Sequence, residues 1–420
     1  MNIISTEKIP IKMWLNSIEL GAEEQAKNLA NLPFAFKHIA IMPDSHQGYG
    51  MPIGAVLATK DVVIPNAVGV DIGCGVIAVK TSLTDIDKET LKKIMGEIRK
   101  QIPVGFNKHK KPQDEKLMPD YSAVKASVDS GYAIDNRNAY IKQSMEEGIL
   151  EVVAMEYDNA LKSLGTLGGG NHFIEIQKGS DGHIWIMIHS GSRNLGKQVA
   201  DHYNKIAVKL NEKWHSSVPK EWQLAFLPLE SEEGHSYIRE MEYCVSFALE
   251  NRKLMMDRVM FAISDVLEEE IEKGRMKNWF HFDAPINIAH NYARMENHFG
   301  HNVMIHRKGA TSAKKGELGI IPGSQGTKSY IVEGLGERES FESCSHGAGR
   351  KMGRKEAQKR LNLEEEIKIL DDQGIIHGIR TEKDLDEASG SYKDIDKVME
   401  NQKDLVKIVV ELSPLAVIKG

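Results

Sequence analysis

The apolar residues between positions 38 and 83 come in short runs, HIAIMP, IGAVLAT, DVVIP and GVIAVKTSL, separated by glycine, proline and charged residues. Runs of this length, rich in β-branched residues and bounded by turn formers, fit strands better than helices. A second set lies over 165–192, with HFIEIQ and IWIMIHSGS, and a third over 281–336. Between these two sets the pattern changes, and Met241, Val245, Ala248, Met255, Val259, Ala262 and Val266 recur at helical spacing. A Met-rich stripe of that period is the core face of a helix. The expected class is therefore α+β, a strand-rich body with a helical insertion over 196–272. A further helix is expected over 84–102, where Ile86, Leu91, Ile94 and Ile98 mark one face. Residues 104–122 show little periodicity, and an exposed loop with solvated charges is expected there. No repeat, linker or low-complexity segment divides the 420 residues. One interwoven domain over 1–420 follows.

Composition narrows the function classes. Hydrophobic residues at 41% and charged residues at 27% describe an ordinary globular chain. The net charge of −6 supplies no whole-molecule field for a polyanion, so any such partner needs a local patch. Three scattered cysteines, Cys74, Cys244 and Cys344, do not make a disulfide framework and point to a reducing cytoplasm. No run approaches the roughly 18 apolar residues of a membrane span. The start MNIISTEKIPIKMW has no basic region followed by an apolar one. A cytoplasmic chain with no membrane partner is expected.

Several polar residues sit at the ends of the apolar runs. VDIGCG puts Asp71 and Cys74 on one glycine-flanked turn, where a carboxylate and a thiolate can reach one cation. Asn171, His172 and Glu175 follow in GGGNHFIE, His189 in IMIHSGSR and His290 in IAHNYARME. Asp71, Cys74, His172, His189 and His290 form a mixed oxygen, sulfur and nitrogen set able to hold one or two divalent metals. MPDSHQGYG adds Asp44 and His46 on an expected glycine-rich loop, suited to orienting a substrate or to acid–base work. PGSQGTKSY, with Ser324, and HRKGATSA, with Arg307 and Lys308, read as loops open to phosphate. Neither matches the common phosphate-loop pattern, and GTLGGGNH is a poor dinucleotide fingerprint because no helix pattern follows it.

SCSHGAGRKMGRKEAQKR, over 343–360, places His346 in a slot of small residues ahead of a basic stretch of six cations and one carboxylate from Arg350 to Arg360. A helix starting just after His346 would offer free amides to an anion, and Arg350 could fork onto phosphate. A neutral imidazole there can attack an activated phosphorus and be resolved by a second nucleophile.

Taken in order, MPDSHQGYG, VGVDIGCG, GTLGGGNHFIE, IMIHSGSR, HNY, RKGATSA, GIIPGSQGTKSYIV, SCSHGAGR, SYKDIDKVM and VIKG resemble the RtcB family of RNA-splicing and RNA-repair ligases over about 12–420. The resemblance implies the RtcB-like α+β fold and a ligase dependent on GTP and two Mn2+ ions. Such an enzyme joins RNA 3′-phosphate or 2′,3′-cyclic phosphate ends to 5′-hydroxyl ends, in tRNA splicing or RNA repair. By it, His346 matches the guanylated histidine, and Asp71, Cys74, His172, His189 and His290 match the metal ligands, Cys74 bridging two ions. Asn171, His172, Glu175, Ser324, His346, Gly347, Gly349, Arg350, Tyr392 and Lys419 match positions around the guanine nucleotide, with Tyr392 a stacking face for the base. The implied sequence is attack of His346 on GTP, opening of any cyclic phosphate, transfer of GMP to the RNA 3′-phosphate, and displacement of GMP by the 5′-hydroxyl. An activating accessory protein belongs to the same expectation, as does a monomeric state. Ligand softness alone would suit zinc equally. Two other classes fit the residues, a dimetal phosphodiesterase and a non-catalytic RNA-binding module.

Overall fold

The run IWIMIHS becomes the strand Ile184–Ser190, and every residue in it is buried. A strand covered on both faces belongs at the centre of a sheet. In the computed structural model, which describes residues 1–119, 150–273 and 280–420, it lies inside a seven-stranded sheet. The order there is Ile286–Ala289, Gly75–Lys80, Ile184–Ser190, Phe173–Gly179, Val406–Lys419, Ser329–Gly334, Leu318–Ile321. A second sheet has six strands in the order Asn2–Ile4, Ile11–Met13, Ala35–Tyr49, Met51–Thr59, His301–Lys308, Asn291–His298. Pairing is antiparallel except between Ile11–Met13 and Ala35–Tyr49. The class is α+β, as the alternation of strand-like and helix-like text implies.

The helical stripe packs on the first sheet. Glu232–Glu272 is one helix, capped at its start by Ser231, whose Oγ accepts from the Gly234 amide at 3.0 Å. Met255, Met256, Val259 and Ala262 bury against Ile174, Ile186 and Ile188 of the sheet. Each Met, Val and Ile among them contributes about 1.5–3 kcal/mol by leaving water. The first half of the same helix packs through Met241, Tyr243 and Phe247 on the helices Glu151–Ser163 and Arg193–Lys213. No helix among the described residues is long and apolar enough to cross a membrane.

Local differences from the sequence expectations have local causes. The helix expected over 84–102 begins at Lys88, because Asp87 caps it through the Glu89 and Thr90 amides and leaves Ile86 outside. MPDSHQGY is not a loop: it is the bulged end of Ala35–Tyr49, paired with Met51–Thr59. HRKGATSA is not an open loop either. It is two strands joined at Gly309, with Arg307 and Lys308 buried. Of the loop expected over 104–122, residues 120–122 lie outside the described residues, and the rest is irregular apart from a single turn at Glu115–Leu117.

Candidate active site

The strand register gathers the predicted donors at one end of the seven-stranded sheet. His189 pairs with Val76 on one side and with Phe173 on the other, so Cys74 and His172, each one residue beyond a strand start, reach it from both neighbours. Cys74 Sγ lies 3.3 Å from His189 Nε2 and 3.5 Å from His172 Nε2. Asp71 Oδ2 lies 3.1 Å from His172 Nε2. The turn bearing Asp71 and Cys74 passes Gly73 at φ 73°, where a Cβ would fall 2.7 Å from the Val245 Cα of the long helix. Only glycine permits that approach. His290 occupies the single residue between Ile286–Ala289 of one sheet and Asn291–His298 of the other. Its ring centroid is 5.2 Å from that of His189 and 4.7 Å from that of His346.

The donor set fits a divalent cation. His172 Nδ1 meets the Leu167 carbonyl at 2.9 Å and His189 Nδ1 the Asn171 carbonyl at 3.0 Å. Each ring therefore anchors Nδ1 on a backbone carbonyl and turns Nε2 toward Cys74. His290 Nδ1 is buried with no partner. Burial holds the His189 and His290 rings neutral by pushing their pKa values far below the usual range. Burial, with Asp71 adjoining, pushes the Cys74 thiol far up. Neutral imidazoles and a thiol that needs positive charge to ionise are what a divalent metal requires. Cys74, His172 and His189 offer atoms within 4.8 Å of one another.

A layer behind these donors went unnoticed in the sequence. Arg252, wholly buried on the long helix, donates through Nη1 to the carbonyls of Gly73 at 2.9 Å and Ser190 at 2.8 Å, and through Nε to Asn287 Oδ1 at 2.8 Å. Asn251 accepts from the Gly165 amide at 2.7 Å and donates to the Gly191 carbonyl at 3.2 Å. One dipeptide thus ties together the segments that carry Cys74, His172, His189 and His290.

His346 follows the strand Ser343–Ser345. Its Nδ1 donates to Asp44 Oδ2 at 2.6 Å, and its own amide reaches the same oxygen at 3.1 Å. Asp44 has no exposure. Burial works against its charge, yet His346 beside it holds its carboxyl below the usual range. The sequence marks Asp44 for acid–base or orienting work, but nothing in it joins residues 302 positions apart. With Nδ1 so engaged, Nε2 is the nitrogen left for chemistry. Gly349, at φ 71°, lets the chain pass over Asp44: a Cβ there would lie 2.1 Å from the Asp44 carbonyl oxygen.

His346 borders a cavity of about 610 Å3, a volume typical of small-ligand sites. Asn171, Glu175, Ser324, His346, Gly347, Gly349, Arg350, Tyr392 and Lys419 all reach its wall, together with His189 of the metal-capable cluster and with His46. Asp71, Cys74, His172 and His290 lie outside that wall, among the donors behind His346. Burial pushes the Glu175 carboxyl up to about 8 even though Lys419 opposes the shift.

Two expectations fail here. The basic stretch is not a helix from Arg350: the helix there is Arg354–Arg360 only, so its start lies eight residues beyond His346. Gly347, Gly349 and Gly353 disfavour it, and the backbone is already paired, with Lys351 donating to Ser391 and Gly349 accepting from Lys393. Nor does the Arg350 fork stand open, since it donates to Glu387 Oε2 and the Asp386 carbonyl, each at 2.6 Å. Glu387, unnoticed in the sequence, also binds Arg354 Nε at 2.6 Å and the Tyr392 hydroxyl. Arg307 and Lys308 are likewise spent, on Glu296 and on the carbonyls of Tyr49 and Asn66.

These features define an α+β protein with a metal-capable donor cluster and, on the wall of a cavity, a histidine held by a buried carboxylate. A family model described as tRNA-splicing ligase RtcB matches residues 25–420, and the chain belongs to that family. It is 38% identical to the RNA-splicing ligase RtcB1 of Escherichia coli, over 100% of this chain and 99% of the relative. It is 32% identical to the tRNA-splicing ligase RtcB of Thermococcus kodakarensis, covering 94% and 90%. Identity to the Nanoarchaeum equitans protein of the same name is 34%, covering 98% and 95%.

Proposed function

We propose that this chain is an RNA ligase that seals RNA 3′-phosphate or 2′,3′-cyclic phosphate ends to 5′-hydroxyl ends, drawing on GTP through a GMP group carried on His346. The observation that carries the reading is the Asp44–His346 pair, which leaves His346 Nε2 as the free nucleophile between the cavity and the donor cluster. Asp71, Cys74, His172, His189 and His290 would hold two Mn2+ ions, which would neutralise charge on the phosphates. Family membership, with relatives named as RNA- or tRNA-splicing ligases, supports the substrate class.

In this reading Nε2 attacks the α-phosphorus of GTP while the bond to the bridging oxygen breaks and pyrophosphate leaves with its electrons. The Nδ1 proton stays on the ring, and the Asp44 carboxylate balances the positive charge that develops there. Water first opens any 2′,3′-cyclic phosphate to a 3′-phosphate, whose oxygen takes GMP as the Nε2–phosphorus bond breaks. The 5′-hydroxyl oxygen then bonds to the 3′-phosphorus, its proton passing to solvent, and GMP leaves with the electrons of its bond to that phosphorus. Glu175 and Lys419 suit the edge of guanine: if the Glu175 carboxyl gives up its retained proton as the base binds, the carboxylate beside Lys419 accepts from the ring and exocyclic N–H groups. The Tyr392 ring, with the Arg350 guanidinium 5.2 Å from its centroid, offers its other face to the base. Cytoplasmic location, a monomeric state and dependence on an activating protein remain parts of the proposal.

Intact mass of the protein incubated with Mn2+ and GTP, in parallel with ATP, tests it. The expected result is one GMP added with GTP alone and none in His346→Ala. No adduct on a metal-loaded protein would overturn the reading in favour of a metal phosphodiesterase, and an adduct persisting in the variant would move the nucleophile elsewhere.

A further inference from the structure

The segment 105–112, GFNKHKKP, holds one aromatic and three lysines with no acid. By composition these charges are solvated and idle, but the structure gives them a position. Phe106 is wholly exposed, at 101% against 86% for Leu20, the next large apolar residue among those described. Lys108, Lys110 and Lys111 are exposed beside it.

The backbone under these side chains is pinned on both sides. Gly105 donates to the Gly168 carbonyl at 2.8 Å, Leu167 to Pro103 at 3.0 Å, His109 to Lys162 at 3.0 Å and Gln113 to Leu161 at 3.1 Å. Arg193 Nη2 reaches the Gly105 carbonyl at 3.2 Å. An exposed ring held on a fixed backbone loses little entropy when something stacks on it. The anchor is also informative, because 168–170 is the glycine turn that leads into Asn171 and His172. A Cβ on Gly169 would lie 3.7 Å from the Gly105 Cα, and one on Gly170 would lie 2.7 Å from the Arg354 guanidinium. The aromatic loop and the basic stretch 350–360 therefore both lie against the same turn. Phe106 is not on the wall of the cavity assigned to the nucleotide.

We propose that 105–112 is a platform for single-stranded RNA next to the end being joined, with a base stacked on Phe106 and phosphates held by Lys108, Lys110 and Lys111. The inference rests on the RNA-ligase reading. Lysines around a rigid aromatic are the combination that grips a single strand without reading its sequence. A chain of net charge −6 needs such a local patch to hold a polyanion.

Fluorescence anisotropy with a short 3′-phosphorylated single-stranded RNA tests the platform on the full chain. Phe106→Ala and Phe106→Leu are expected to weaken binding by about 10- to 100-fold, while Phe106→Trp keeps the affinity and its emission is quenched by the RNA. Replacing the three lysines by glutamine is expected to lower the slope of log affinity against log salt by about one for each phosphate they neutralise. Unchanged affinity and slope in these variants would overturn the proposal. So would RNA binding that Phe106→Leu fully preserves, which would mark an apolar protein surface instead of a stacked base. GMP addition to the parent without RNA tests the ligase reading separately. If the parent neither takes GMP nor joins RNA, that reading falls, and if it does both while Phe106→Ala matches it at subsaturating RNA, only the platform falls.

Discussion

At the level of single residues, the site is built from side chains that burial has pushed away from their ordinary protonation. Asp44 is the exception: burial opposes its charge, yet His346 beside it keeps its carboxyl below the usual range. It has no exposure and its Oδ1 has no partner, yet its Oδ2 takes two bonds from His346. Asp44→Ala leaves the imidazole free to rotate and to present the wrong nitrogen. The rate of GMP addition, followed by intact mass, should fall by about 10²- to 10⁴-fold, with metal content unchanged. Glu175 gives a second prediction, whose sign follows from its carboxyl being held at about 8 by burial against roughly 4.3 unfolded. The folded chain keeps a proton that the unfolded chain releases, so this stabilisation is complete below the unfolded value and lost as pH rises through about 8. Glu175→Gln removes that dependence. Its melting temperature should gain on the parent by a few degrees between pH 5 and pH 9, while GTP binding weakens because the amide, unlike the carboxyl, cannot ionise to accept from both guanine N–H groups. Such residues were legible in the sequence as types, since His346, Asp44 and Glu175 all stood in odd company. Their pairings were not, because an approach of positions 44 and 346 leaves no trace in spacing.

Among the elements, the long helix was the most legible part of the chain and also the one that hid most. Its stripe runs 241, 245, 248, then 255, 259, 262 and 266, and all seven residues are buried. The position the stripe skips, four beyond Ala248, is Arg252, buried like its neighbours. A charge on a core stripe could have been noticed, because a buried guanidinium must find acceptors. Those acceptors, however, come from three distant segments. Arg252→Met keeps the apolar volume but leaves the Gly73 and Ser190 carbonyls without their donor. Affinity for Mn2+, measured by titration, should drop by about 10- to 100-fold, the usual cost of losing support behind a metal ligand. Arg252→Lys should recover part of it. A change in thiolate-to-metal absorption on cobalt loading would show that Cys74 has moved, which a general loss of stability would not produce. The basic stretch taught the converse. Six cations in eleven residues suggested a helix from Arg350, but glycines at 347, 349 and 353 and a strand-like pairing with 391–393 reserved that segment for shaping the cavity.

For the whole molecule, alternating strand and helix text fixed the class, whereas the division into two large sheets, with two short ribbons beside them among the described residues, was invisible because pairing order depends on remote segments meeting in space. That division matters to the site. Cys74, His172 and His189 belong to the seven-stranded sheet, Asp44 to the six-stranded sheet, and His290 to the single residue where the chain crosses between them. A cation shared by these donors would bind across the joint, so the two sheets should unfold together as the single domain proposed for 1–420. Metal that binds only the folded chain adds about 2.7 kcal/mol of stability when free metal is a hundred times its dissociation constant. Scanning calorimetry of the metal-free chain should show one endotherm. Mn2+ should raise its midpoint by a few degrees without splitting it, and Cys74→Ala should abolish most of that rise. Two endotherms, of which Mn2+ moves only one, would mean that the donors on one sheet hold the metal alone and that His290 is a structural joint and not a ligand.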